Sequence, residues 1–141
     1  MTDFIGMFGL ALRSGGLMIG EDHIKTAANE RKVKALFVAA DAMANARKKA
    51  AQTALYAKVP VFDLPCTKAE LGSVLGRDEV AAAAVTDIEF AYGIAKKIAA
   101  GEPEKYAEAL TSLENKAKAR RAGLKAKAAR PRGKAKRKEN G

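Results

Sequence analysis

Two kinds of side chain in this sequence could do covalent chemistry. The nucleophile candidates are Cys66, Ser14 and Ser73, and His23 is the only imidazole base. A catalytic triad needs nucleophile and base within hydrogen-bond reach, and no motif places His23 beside any of the three. Cys66, between Pro65 and Thr67, sits near a helix start that could activate a thiol, but a small bystander in a loop is the simpler reading. A lone cysteine makes no internal disulfide, and with one histidine the usual four-ligand zinc set is absent. The GxxxxGK[ST] spacing that cradles a triphosphate does not occur. Gly6 and Gly9 stand three apart without forming GxGxxG, so they read as helix packing. The expectation is a non-enzyme with no cofactor and no metal.

The binding chemistry lies in charge. The chain carries +10 over 141 residues, and the excess is concentrated at one end. Residues 116–141 hold 12 of the 26 Lys and Arg against one acid, a net +11, which leaves residues 1–115 at −1. Lys116, Lys118, Arg120, Arg121, Lys125, Lys127, Arg130, Arg132, Lys134, Lys136, Arg137 and Lys138 are therefore the candidate phosphate contacts. Counterions released from each neutralised phosphate give affinity without reading sequence. Leu124 is the one large apolar side chain in this stretch, and Gly123, Pro131 and Gly133 interrupt it, so it is expected to be disordered when free. A nucleic-acid partner fits best, and anionic lipid is the other polyanion the run could touch.

These groups need a scaffold. The length allows one globular unit plus an appendage. The longest relevant apolar stretch, Val80 to Val85, is far below the roughly 20 residues that span a bilayer, so no membrane segment is expected. Asp3, with no basic region ahead of it, argues against a secretion signal and for a cytoplasmic protein. Phe4, Met7, Phe8 and Ala11 predict a first helix from about Thr2 to Ser14, followed by a short strand at Leu17 to Ile19. Glu21 and Asp22 open a second helix with Ile24, Ala27 and Ala28 on one face, ending near Glu30. Ala35 to Ala40 reads as a strand covered on both faces. Asp41 reads as the cap of a helix from Ala42 to about Lys58, with Arg47, Lys48 and Lys49 toward solvent.

Val59 to Leu64 is a further strand, placed near a sheet edge by Pro60 and Pro65. Thr67 and Glu70 form a capping box for a helix closed by Gly76. Val80 to Val85 is the last strand, and Asp87 opens a helix with Ala91, Ile94, Ala95 and Ile98 on one face, ended by Gly101. Pro103 starts an extension through Leu113, striped by Tyr106, Leu110 and Leu113. Helices alternating with strands predict a sheet between helical layers. The expected divisions are a domain over 1–100, a helical extension over 101–115 and a basic tail over 116–141.

Taken in order, ALRSGGLMIGEDHIKTA, KVKALFVAADAMANARKK, KVPVF, TKAELGSVLG and VAAAAVTD resemble the bacterial branch of the ribosomal protein L7Ae superfamily of kink-turn RNA binders, over roughly residues 1 to 98. The resemblance implies an α/β fold, a three-layer α-β-α sandwich around a four-stranded mixed sheet, with RNA docking on one end of the sheet. It implies that the second helix's start enters the groove at the bend of a kink-turn and reads tandem sheared G·A pairs. That surface maps onto Gly20, Glu21, Asp22, His23 and Thr26. A second contact, from the loop after the ELGxxxG pattern, maps onto Gly76, Arg77, Asp78 and Glu79, with Lys68 beside it. Free amides at a helix start suit phosphate, and short polar side chains there can reach base edges. Lys25, Arg31, Lys32, Lys68 and Arg77 would offset Glu21, Asp22, Asp78 and Glu79. The implied partner is structured RNA, ribosomal or ribosome-associated, bound by a monomer. The same fold also serves as a protein-interaction module and as the recognition domain of RNA ribose methyltransferases, although no catalytic domain follows here.

Overall fold

The computed structural model describes residues 4–129. Ten elements follow one another: α1 (Phe4–Arg13), β1 (Leu17–Ile19), α2 (Glu21–Asn29), β2 (Ala35–Val38), α3 (Ala44–Ala57), β3 (Val61–Asp63), α4 (Lys68–Leu75), β4 (Ala82–Val85), α5 (Ile88–Ala99) and α6 (Pro103–Ala129). The four strands form one mixed sheet in the order β1-β4-β2-β3, with β2 and β3 parallel and the other pairs antiparallel. β3 occupies the edge that its flanking prolines forecast.

Side-chain alternation along these short strands divides the core in two. Leu17, Ile19, Ala35, Phe37, Phe62, Ala83 and Val85 face the layer containing α1, α4, α5 and α6. Met18, Leu36, Val38, Ala82 and Ala84 face α2 and α3, which approach closely because their buried residues, apart from Ile24, are the alanines Ala27, Ala28, Ala50 and Ala54. The larger core carries a run of ring contacts, Phe4 to Phe8, Phe8 to Phe37, Phe37 to Phe62 and Phe62 to Tyr106, with centroids 6.3, 5.4, 5.3 and 4.8 Å apart. Such pairs contribute about 0.5–1.5 kcal/mol each beyond their burial. They join α1 to α6 across the sheet.

Two expectations need correction. Asp41 does not cap α3, which starts at Met43 without a side-chain cap; its carboxylate instead accepts the Lys68 amide of α4 at 2.7 Å. Arg47 does not project freely. It donates to the carbonyls of Ala39, Ala40 and Ala42 and forms a 2.8 Å ion pair with Asp63. Helix α6 continues past residue 115 without a break, so that its second half, residues 116–129, is helical. Alanine, lysine and arginine are strong helix formers, and tertiary contacts hold this half of the helix down. Ala117 is fully buried behind Leu113, Lys118 pairs with Glu114, and the Arg121 guanidinium forks onto both Glu89 oxygens of α5 at 2.8 and 2.6 Å.

Candidate nucleic-acid interface

The register fixes which connections share an end of the sheet. Ile19 pairs with Ala83, and Val38 with both Ala82 and Asp63. The ends of β1, β2 and β3 therefore lie beside the beginning of β4, and α2, α3 and α4 all begin there. Backbone bonds tie the connections together: Ala39 N to Ala81 O at 2.8 Å, Ala40 N to Cys66 O at 2.7 Å and Val80 N to Lys68 O at 3.1 Å. Arg47 and Asp41 reinforce the same cluster from their side chains.

Of the three helix starts, α4 is closed by its capping box, in which Thr67 Oγ1 accepts from Glu70 N and Glu70 accepts from Thr67 N. The starts of α2 and α3 have no side-chain cap. Their first-turn amides, with the positive ends of two helix dipoles behind them, are open to an anion or a base-edge acceptor. Gly20 enters α2 at φ +95°, a conformation that favours glycine, which lets the chain turn directly from β1 into the helix.

Two faces of α2 separate at this start. Glu21 and Lys25, one turn apart, line a groove of about 650 Å³ between α2 and α3, together with Lys49, Arg77 and Glu79. Glu21 pairs with Lys49 at 3.0 Å and with Lys25 at 3.9 Å, so its charge is compensated inside the groove. Asp22, His23 and Thr26 are exposed, and the spacing puts Thr26 one turn above the other two. The His23 Nδ1 lies 3.1 Å from the Ile19 carbonyl, which can only accept, so Nδ1 is the donor of that bond.

The loop 76–80 forms the other wall. Gly76 ends α4 in the left-handed conformation, and Arg77, Asp78 and Glu79 are exposed. Lys68 is 20% exposed at its side chain and pairs with Glu79 at 3.8 Å. Among the described residues Arg77 and Asp78 enter no ion pair. A residue that the motif reading passed over positions this loop. A Cβ on Gly72 would stand 2.7 Å from the Arg77 carbonyl oxygen and 2.9 Å from that of Asp78, so only glycine lets the loop fold down on α4. The signal was present in the ELGSVLG spacing. Arg47 was missed because nothing local marks a base whose acceptors are carbonyls five to eight residues earlier.

Gly20, Glu21, Asp22, His23, Lys25, Thr26, Lys68, Gly76, Arg77, Asp78 and Glu79 thus gather at one end. Arg31 and Lys32 do not join them. They follow the last turn of α2 and precede β2, at the opposite end of the sheet, with Lys32 paired to Glu30 at 3.1 Å. Lys116, Lys118, Arg120 and Arg121 lie on the half of α6 that passes the start of α5. Lys125 and Lys127 belong to the same helix, and Arg130, Arg132, Lys134, Lys136, Arg137 and Lys138 lie outside the described residues. Cys66 is buried, and desolvation followed by the charges of Glu70 and Asp41 pushes its thiol up to about 11, so it is not a poised nucleophile. Among the described residues no helix is long and apolar enough to cross a membrane.

Several known proteins resemble this chain in sequence or in fold. The chain is 36% identical over 73 residues to the RNA-binding protein YlxQ of Enterococcus faecium, an alignment covering 52% of this chain and 70% of that protein. A solved structure of a protein of unknown function from Bacillus halodurans superposes with a TM-score of 0.63 at 24% identity, covering 70% of this chain and 98% of the other. The Giardia lamblia 15.5 kD RNA binding protein superposes with a TM-score of 0.52 at 17% identity, covering 68% and 84%. At these identities the two structures establish the fold. The family model for the ribosomal protein L7Ae/L30e/S12e/Gadd45 family matches residues 6–92, and the chain belongs to that family.

Proposed function

We propose that this protein binds structured RNA without catalysing a reaction, and that the end of the sheet where α2 and α3 begin reads a kink-turn or a similar sharp bend in ribosomal or ribosome-associated RNA. The observation that carries the reading is the pair of uncapped helix starts beside the glycine-seated loop 76–80. Bent RNA offers phosphates to the free amides and unpaired base edges to Asp22, His23 and Thr26. The ion pairs on Glu21 and Glu79 lower the repulsion that four neighbouring carboxylates would otherwise impose. The family and the RNA-binding relative support the same partner class.

A second reading rests on a separate observation. Leu55 and Tyr56 of α3 are 82% and 66% exposed, and Tyr56 borders the α2–α3 groove. That surface suits a protein-interaction module whose bases bind nucleic acid without discrimination.

The test is the affinity of the full chain for a kink-turn RNA and for a straight duplex of equal length, over a salt series. Preference for the kink-turn that survives rising salt is the expected result. Equal affinity for both RNAs at every salt concentration would remove the reading and leave the interaction module.

A further inference from the structure

The end of the sheet opposite the helix starts carries four bases that enter no ion pair with a described residue. Thr86 N donates to Gly16 O at 2.8 Å, Lys34 N to Val85 O at 2.8 Å and Leu36 N to Pro60 O at 3.0 Å, which brings the turns after α1, α2 and α3 together. Arg13, Arg31, Lys34 and Lys58 sit on those turns, and none is in an ion pair with a described residue. Helix α6 arrives at the same end. Near its start the Tyr106 hydroxyl accepts from Asp63 N at 3.0 Å, at the finish of β3, whereas Arg121 meets Glu89 in the first turn of α5, beside the finish of β4. At 1.5 Å per residue these two anchors are about 22 Å apart along the helix. The basic half of α6, where Lys116 and Arg120 enter no ion pair with a described residue, therefore lies away from the uncapped helix starts.

Backbone conformation adds an independent observation. Among the described residues only two non-glycines have positive φ, Arg31 at +61° and Lys58 at +60°. Both are bases, both follow a helix, and both are at this end. Glycine would fill these positions without strain, and cations complement a helix C-terminus from less strained positions as well. A strained backbone that presents a base points to a ligand for the base.

We infer that this far end is a second RNA-contact surface, which grips the phosphate backbone of an RNA segment distinct from the one at the helix starts. Arg31, Lys34 and Lys58 face one stretch of backbone, and Lys116 and Arg120 extend the contact along α6. Because the two surfaces lie at opposite ends of the sheet, one protein molecule can hold two RNA segments. Backbone contact at the far end needs no reading at the other, so the two claims fail separately.

The experiment uses the full chain, the double variant Arg31→Gly/Lys58→Gly, and a second variant, Lys116→Ala/Arg120→Ala, altered only at exposed positions of α6. Binding to a straight RNA duplex is measured over a salt series, with urea unfolding as the control for folding. Each phosphate contact removed makes the logarithmic salt slope shallower by about 0.9, so each double variant should lose about 2 from the slope. The glycine variant should remain as stable as the wild type or gain stability. Wild-type protein on an immobilised kink-turn RNA should also capture a labelled duplex, and the variants should capture less. An unchanged duplex slope in both variants would overturn the inference. So would phosphatidylserine vesicles binding more tightly than the duplex, with only the vesicle binding sensitive to the substitutions.

Discussion

At the end of the sheet where β1, β2 and β3 finish, the chain runs into helices, leaves amides facing outward and gathers acids. At the other end α1, α2 and α3 run into strands on turns that carry bases, and β4 runs into α5, which starts with Asp87 and Glu89. Glu21, Asp22 and Glu70 are first-turn acids, while Arg13 closes α1 and Arg31 and Lys58 follow α2 and α3. Both sets complement helix dipoles, so the direction of the strand-to-helix connections sorts the charge along the molecule. On the proposed function, the contrast teaches that a shape-reading end and an electrostatic end need not coincide. The acidic residues beside the uncapped helix starts are, on that proposal, no obstacle to RNA binding, because long-range attraction would come from the far end and from α6.

The widest break in this contrast should come from Tyr106, 4% exposed, which anchors α6 to β3 through ring and hydroxyl. Tyr106→Ala should cost about 3–5 kcal/mol of stability, measured by urea unfolding, and should weaken duplex binding more than kink-turn preference. Next is Gly72→Ala, where the added carbon meets loop carbonyls at 2.7 and 2.9 Å. A loss of about 1–3 kcal/mol is expected, with reduced kink-turn affinity and an unaltered duplex salt slope. Arg47→Ala removes four bonds from the same end but is partly solvent-screened. It should cost about 1–2 kcal/mol and show as faster amide exchange at Ala39 to Met43.

The last effect is confined to alkaline pH and is absent at neutral pH. The folded protein holds the Cys66 proton up to about 11, whereas the unfolded chain releases it near 9.0. Stability from this group is complete below the lower value and is lost as pH rises through the higher one. Cys66→Ala should flatten that decline in stability between the two values, and native Cys66 should resist alkylation at neutral pH.

Local chemistry made much of this legible from sequence. The Thr67 and Glu70 box, the Asp87 cap, the Gly76 stop and the residues of β1 all depend on neighbours within four positions, and each stands where the pattern placed it. The prolines around β3 marked an edge because a missing donor is tolerated there. What escaped is long-range. Asp41 looked like a cap until Lys68, 27 residues later, proved to be its donor. The helical half of α6 escaped because its stripe, Tyr106, Leu110, Leu113, Ala117, ends in an alanine, and its last anchor is Glu89 on another helix. The placement of Arg31 and Lys32 followed from strand register, which sequence periodicity does not carry.

The most direct measurement is an amide chemical-shift map of the full chain titrated with a kink-turn RNA. The account predicts that the largest shifts specific to the kink-turn, absent with a straight duplex, fall on Glu21, Asp22, His23, Ala44, Asn45 and Arg77. Shifts common to both RNAs should fall on Arg31, Lys34, Lys58 and α6. Kink-turn-specific shifts confined to the far end and α6, with the starts of α2 and α3 unmoved, would contradict it.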